Sequence, residues 1–279
     1  MRWPVQVVTA TGSTNADLAD AARGGETGPR VLAARRQDAG RGRLDRAWSS
    51  PAGASVAVSW LWAPRRPRAD WPWLPVVVGL GVVDAVAALG VTARLKWPND
   101  VVVDVAAQPA GVVPGDAATG ATAGLRKLAG VLVEVAVTPD GTACAVAGVG
   151  LNVGLGADDL PVPTATSVRL LTGRDPGFDA ALAALLDGVG ARLSAWDADA
   201  DAHADADADA AADVAGPDAR LREAYRQACT TLGREVRVTT PGGAVRGTAV
   251  DVDTAGRLLV RGDDGRVVGL SAGDVEHVR

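Results

Sequence analysis

Apolar positions recur at two different spacings along this chain, every second residue in short runs and every third or fourth in longer ones, and the two spacings alternate. Residues 5–8 read as a short strand. After Thr11-Gly12-Ser13-Thr14-Asn15, a helical pattern runs over 16–22, with Ser13 or Thr14 placed to cap it. Residues 31–35 form a second strand pattern. Over 54–62 small or polar residues alternate with larger apolar ones, the signature of a third strand. The run 73–89 is apolar save for Asp84 and reads as a buried helix, and Gly90 stands where a glycine C-cap would close it. Residues 94–96 lead into Trp97-Pro98-Asn99-Asp100, where Pro98 holds Trp97 in extended geometry, and 101–105 continue as a strand. Two further strands, 128–137 and 142–149, flank Pro139-Asp140-Gly141, a hairpin turn signal. Helical patterns return at 178–196 and 217–232.

Between these elements lie segments without usable periodicity. Residues 40–50 are polar and rich in Gly and Arg. Residues 106–124 are rich in Ala, Gly, Thr and Pro and read as a flexible hairpin insertion. An Asp/Ala alternation with His203 starts at Asp197, and 197–216 reads as a low-complexity linker. A metal site there is disfavoured, because closely spaced carboxylates without supporting partners repel and solvate. From 235 onward, strand patterns at 235–240, 245–252, 258–261 and 266–270 are separated by Gly- and Asp-rich turns, which predicts a small antiparallel barrel. The fold class expected is therefore α+β: a mixed sheet with flanking helices over 1–232 and a C-terminal barrel over 233–279.

The chain has 279 residues and is 48% hydrophobic, enough for a sizeable core. Two cysteines, Cys144 and Cys229, make a disulfide framework implausible and point to a reducing compartment. The N-terminus lacks a secretory pattern, so a cytoplasmic protein is expected. The apolar run 73–89 is shorter than the roughly 20 residues of a spanning helix, so no membrane association is expected. A net charge of −5 disfavours a general nucleic-acid binder. The local exception is a cluster of arginines, Arg35, Arg36, Arg41, Arg43 and Arg46, which suits a small anion better than a duplex.

One compositional fact bears on chemistry. Of 28 basic residues only Lys96 and Lys127 are lysines, and the only asparagines are Asn15, Asn99 and Asn152. A lysine kept where arginine serves elsewhere suggests a need for a compact ammonium charge. All five rare residues fall in or beside Gly- or Pro-marked turns at strand ends, where sheets present ligands.

Four segments carry candidate chemistry. In Gln37-Asp38-Ala39-Gly40-Arg41-Gly42-Arg43, glycines allow close backbone approach while guanidinium forks reach phosphate or carboxylate oxygens; a solvated turn or an RNA-binding segment has the same pattern. Lys96-Trp97-Pro98-Asn99-Asp100 offers a phosphate contact beside a possible magnesium ligand, or an ordinary turn. In Lys127-Leu128-Ala129-Gly130, small residues leave room for a ligand against the sheet, although a charged strand terminus is common. Gly148-Val149-Gly150-Leu151-Asn152-Val153-Gly154 places an amide between glycines, for a turn or for ligand.

Taken in order, Ser13-Thr14-Asn15, the Gln37 to Arg43 segment followed by Trp48 and Ser50, Lys96-Trp97-Pro98-Asn99-Asp100, Lys127-Leu128-Ala129-Gly130 through Glu134, and Gly150-Leu151-Asn152 resemble the motif series of biotin protein ligases. The tail resembles that family's C-terminal SH3-like domain. Lipoate ligases share the fold but not the pairing of the two lysine motifs.

The resemblance implies an enzyme that activates biotin with ATP and Mg²⁺ to biotinyl-5'-AMP and transfers biotin to a lysine of a biotin carboxyl carrier protein. It implies biotin contacts for Ser13, Thr14, Asn15 and Gln37, and also for Arg41, Gly42 and Arg43 in a loop that orders over biotin and its adenylate, with Arg41, Arg43, Lys96 and Lys127 as the catalytic cations. Lys127 would hold the biotin carboxylate and the acyl phosphate. Lys96, Asn99, Asp100 and Asn152 would serve the nucleotide, Asp100 also the metal. Such a reaction needs cations and positioning more than a nucleophilic side chain, and neither a Ser/His/Asp nor a Cys/His constellation is evident.

Two departures stand out. The family's loop commonly continues after the second arginine with a basic or small residue and then glycine, whereas Leu44-Asp45 intervene here, which bears on loop flexibility and adenylate retention. The catalytic pattern also begins at once, leaving no room for the winged helix of repressor relatives, so a purely enzymatic, non-DNA-binding chain is expected. Rival readings are a non-catalytic module that binds biotin or a carrier domain, and a nucleic-acid regulator using the arginine loop.

Overall fold

The computed structural model describes residues 1–107, 124–200 and 217–278. The expected hairpin insertion and the Asp/Ala linker lie almost wholly outside the described residues.

Seven strands form one mixed sheet in the order β1-β2-β3-β7-β6-β5-β4. They are β1 (Val5–Val8), β2 (Arg30–Ala34), β3 (Ser55–Trp62), β4 (Arg94–Lys96), β5 (Asp100–Asp104), β6 (Leu125–Val137) and β7 (Ala143–Asn152). Only β1 and β2 pair in parallel, because helix α1 (Thr14–Arg23) crosses between them; every other neighbour is antiparallel. The Pro139-Asp140-Gly141 signal does close the β6–β7 hairpin, with Thr138 N–H donating to the Thr142 carbonyl and Gly141 at φ 88°.

The two faces of the sheet are covered unequally. Helices α2 (Leu74–Ala88) and α4 (Gly177–Ala198) pack on each other and on one face, over Val56, Val58, Trp60 and Trp62 of β3. Helix α1 covers only part of the other face, burying Leu18, Ala19 and Ala22 against Leu32, Leu61 and Val146. What α1 leaves open becomes the site. A short helix α3 (Val168–Thr172) and helix α5 (Pro217–Ala228) complete the helical set among the described residues.

The tail is a five-stranded antiparallel sheet, β11-β10-β9-β8-β12, built from β8 (Glu235–Thr240), β9 (Gly243–Val252), β10 (Leu258–Arg261), β11 (Val267–Leu270) and β12 (Asp274–His277). The last strand, which the periodicity did not announce, pairs with β8. The tail docks on the main body through its β9–β10 end: Trp73 Nε1 donates to the Thr254 carbonyl at 2.7 Å, and Arg226 pairs with Asp251 at 2.6 Å.

One expectation needs correction. Asp197 is not linker: α4 continues through Ala198, and Asp197 is 1% exposed, accepting from Arg65 N at 2.9 Å and Arg65 Nε at 3.2 Å. Its acidic neighbours in sequence disguised a buried acceptor. The run read as a buried helix is one: α2 is buried, although with its 3₁₀ lead-in the helical stretch Arg68–Ala88 counts 21 residues, by length and composition long and apolar enough to cross a membrane. Here that segment packs against α4 and the sheet, with 67% of its apolar window buried.

Candidate functional site

Strand β3 shows how the sequence opens a cleft. All eight of its residues are buried, yet its two faces differ: Val56, Val58, Trp60 and Trp62 fill the core, while Ser55, Ala57 and Ser59 point the other way. Small and polar residues on that face leave a cleft of about 630 Å³ between the sheet, the N-terminus of α1 and the 40–48 loop. On β7 the same face carries Gly148, Gly150 and Asn152. Gly150 lies opposite Gly130 of β6, and the Trp48 indole rests on this glycine floor: a Cβ on Gly150 would stand 2.4 Å from the ring. The Trp48 N–H is buried without a partner among the described residues.

At one end of the cleft a polar network is assembled from three elements. Ser13 caps α1 by accepting from Ala16 N. Thr14 N donates to Gln37 Oε1 at 2.8 Å, and the Thr14 hydroxyl lies 2.7 Å from the Ser59 hydroxyl. Ser59 Oγ donates to Asn15 Oδ1 at 2.6 Å, while Asn15 Nδ2 donates to the Leu132 carbonyl and to Glu134 Oε2. Ser13, Thr14, Asn15 and Ser59 are all buried, so these bonds fix their orientations.

The arginine loop folds as a small hairpin. Gly42 N–H donates to the Arg46 carbonyl, Trp48 N–H to the Gly40 carbonyl, and Arg41 faces Ala47 across an isolated bridge. Arg41 donates to Glu134 at 2.9 Å and Arg43 to Asn99 at 3.4 Å, while Arg46 pairs with Asp274 of β12. Burial lowers the Arg43 pKa, with Asp274 and Asp100 opposing, and the guanidinium stays a cation. Leu44, one of the two residues that depart from the family's loop, is exposed and sits in the left-handed region at φ 54°, ψ 44°. A glycine adopts that conformation without cost.

The lysines arrive at the cleft by different routes. Lys96 ends β4, half-buried, with no ion-pair partner among the described residues. Lys127 sits within β6 and should by simple alternation face away from Gly130. A bulge corrects this: Val101 pairs with Ala129 and Val102 with Lys127, so Leu128 is the extra residue. Leu128 and Ala129 both enter the core, and Lys127 turns into the cleft, where its ammonium meets Asp100 at 2.6 Å and lies 5.7 Å from the Trp48 ring centre. Lys127 is also flanked by a strap, its N–H donating to the Thr164 carbonyl and its carbonyl accepting from Thr166 N. Asn99 donates to the Val131 carbonyl and Asn152 to the Thr166 carbonyl, so both amides brace the walls.

The tail contributes as well. Asp274, Val275 and Glu276 line the cleft, and Thr231 accepts from Trp97 N at 3.1 Å. His277 lies 3.4 Å from the same hydroxyl, its pKa lowered to about 4 by burial first and then by Lys96 and Arg234.

The twelve residues given a role by the resemblance all line this one cleft: Ser13, Thr14, Asn15, Gln37, Arg41, Gly42, Arg43, Lys96, Asn99, Asp100, Lys127 and Asn152. Of the arginine cluster, Arg46 joins them, whereas Arg35 pairs with Asp179 and Arg36 with Asp38 and neither lines the cleft. Sequence reasoning missed Ser59, the Thr164–Thr166 strap and the β12 residues. Ser59 had a readable signal, a hydroxyl centred among the larger apolar residues of its strand and on the same face as Ser55. The strap and β12 had none, since only tertiary pairing brings them there.

Comparison with known proteins agrees with this picture. The profile of the "Biotin/lipoate A/B protein ligase family" matches residues 10–152, and that of the "Biotin protein ligase C terminal domain" matches 231–278. The chain is 38% identical to a biotin--[acetyl-CoA-carboxylase] ligase of Mycobacterium tuberculosis, over 99% of this chain and 89% of that protein. It is 36% identical to the bifunctional ligase/repressor BirA of Escherichia coli over 35% of this chain and 30% of that one. Among solved structures, a biotin protein ligase from Aquifex aeolicus in complex with biotin and ATP superposes with a TM-score of 0.71 at 23% identity, covering 99% of each chain, a likeness of fold.

Proposed function

The chain belongs to the biotin protein ligase family, and we infer from that membership and from its cleft that it activates biotin with ATP and attaches biotin to a lysine of a biotin carboxyl carrier protein. The observation that carries the reading is convergence: the chain's two lysines and Arg41 and Arg43 line one cleft of about 630 Å³, a volume ordinary for a small-molecule site.

The chemistry follows from charge. In the first step a biotin carboxylate oxygen attacks the α-phosphorus of ATP, the acyl phosphate bond forms, and pyrophosphate leaves. Two anions must meet, so cations that hold both in line supply most of the acceleration. Lys127 is the residue assigned to the carboxylate and the acyl phosphate formed from it. Its pairing with Asp100 supports the role, since the carboxylate holds the ammonium in place within the cleft. Ser13, Thr14, Asn15 and Gln37 are assigned to biotin, because their network presents fixed donors and acceptors at a buried end suited to a neutral polar ring. Lys96, Asn99, Asp100 and Asn152 are assigned to the nucleotide end.

In the second step the neutral amine of the acceptor lysine attacks the activated carbonyl and AMP leaves, forming the amide. Between steps the anhydride must be kept from water, and the 40–48 loop, with Arg41, Gly42 and Arg43, is the element placed to cover it. A magnesium ion fits this site as a companion of the nucleotide, not as a caged metal: among the described residues no group of three metal-ligating side chains occurs, and Asp100 is the carboxylate beside the lysines. Bound there, it would neutralise phosphate charge. A cytoplasmic location suits two buried cysteines kept as thiols.

The test is incubation with biotin, Mg-ATP and a biotin carboxyl carrier domain, read by mass. One biotinyl unit is expected on the carrier, and Lys127→Ala is expected to abolish biotin-dependent exchange of pyrophosphate into ATP. An unmodified carrier would overturn the activity, and unchanged exchange would overturn the assignment of Lys127.

A further inference from the structure

Resting on that reading of the cleft, we propose that Glu134 is a positioning residue that ties the arginine loop to the biotin end of the site through a single carboxylate oxygen. Glu134 closes the Lys127 to Glu134 segment and has so far been given no task. Its Oε2 accepts from Asn15 Nδ2 at 2.9 Å and from the Arg41 guanidinium at 2.9 Å.

The first bond settles how Asn15 is turned. A carboxamide nitrogen has two hydrogens, and both are committed, one to Glu134 and one to the Leu132 carbonyl at 3.2 Å. The amide oxygen is thereby directed at Ser59, from which it accepts at 2.6 Å. Glu134 can only accept when ionised, so it permits one orientation of the Asn15 amide and rejects the flipped one. With Asn15 buried, a flipped amide would face its oxygen towards two acceptors.

The second bond concerns the loop. Among the described side chains, three arginine hydrogen bonds tether residues 40–48: Arg41 to Glu134, Arg43 to Asn99 and Arg46 to Asp274. Only the first reaches the Asn15 network. A side cavity of about 270 Å³ separates Arg41, Gly42, Arg43 and Leu44 from Leu132 and Glu134, so the loop bridges β6 here and the ion pair spans the gap. Because one oxygen serves both partners, ordering the loop over the cleft also rigidifies Asn15. An exposed ion pair with no such link would contribute little and would not distinguish one substrate from the other.

The experiment uses the whole chain and follows biotin-dependent exchange of pyrophosphate into ATP, varying biotin and ATP separately, beside limited trypsin cleavage after Arg41 and Arg43. Glu134→Ala is expected to raise the biotin KM on the order of tenfold, with kcat and the ATP KM within about twofold, and to speed loop cleavage. Glu134→Gln, nearly isosteric and so a guard against misfolding, keeps an acceptor for Asn15 but not the charge for Arg41; faster cleavage with a smaller rise in biotin KM is expected. A biotin KM within twofold of wild type in Glu134→Ala, or equal rises in both KM values, would overturn the proposal. Absence of exchange by the wild-type chain would instead overturn the assigned activity, while the cleavage rates still report on the tether.

Discussion

Gly148→Ala is the substitution for which the cleft makes the sharpest demand. A Cβ built on Gly148 would lie 2.1 Å from Asn15 Oδ1 and 2.8 Å from its Cγ, an ångström or so short of van der Waals contact. The backbone has no room to yield, because β7 is an inner strand and Gly148 pairs with Ser59 on one side and Leu132 on the other. The Asn15 amide must retreat instead, and it is held by bonds of 2.6, 2.9 and 3.2 Å. Losing two of the three, one of them to a charged group, costs about 2–4 kcal/mol. At roughly 1.4 kcal/mol per decade, shared between folding and ligand, this gives a biotin KM raised on the order of 10–100-fold. The assay is pyrophosphate exchange with biotin varied, beside a thermal melt. Gly12→Ala serves as control, since its added Cβ meets nothing within 4 Å, and it should stay within about twofold of wild type. A Gly148→Ala enzyme with wild-type biotin KM and melting temperature would refute the reasoning, for the methyl group would then have found space the geometry denies it.

Two further outcomes follow from groups outside the cleft floor. His277 has a folded-state pKa of about 4 against an ordinary 6.5, so its neutral form is the folded one; the unfolded chain takes up a proton first, and stability is lost as pH falls from about 6.5 towards 4. Discounted for partial exposure, the loss is about 1–2 kcal/mol. Melts at pH 5 and pH 7.5 should differ less in His277→Gln than in wild type, and an equal difference would refute the assignment. Asp197→Ala leaves Arg65 N without its acceptor at the end of α4 and is expected to destabilise by about 2–4 kcal/mol in urea unfolding, whereas a loss under about 0.5 kcal/mol would return Asp197 to the linker.

Much of this protein was legible because local rules suffice for it. Alternation over β3 and the long apolar run of α2 specify which backbone states bury side chains, and the glycine-marked turns specify where they stop. The scarcity of lysine and asparagine pointed to one site without any structure, since a residue type kept against the compositional trend marks a position where its shape or charge is required. Other features were invisible for definite reasons. Asp197 reads as the first letter of an acidic tract, and only Arg65, distant in sequence, makes it a buried acceptor. Lys127 has the wrong parity to face Gly130, and it enters the cleft because the pairing with β5 expels Leu128 as a bulge. Glu134 lies on the cleft face of β6, but its two partners come from α1 and from the loop. Asp274 and its neighbours reach the site only by docking of the tail. Periodicity is a property of one segment, so the sequence determined the elements and the chemical inventory by itself. Register, bulges and docking are agreements between segments far apart in the chain, and tertiary packing alone decided which charges meet.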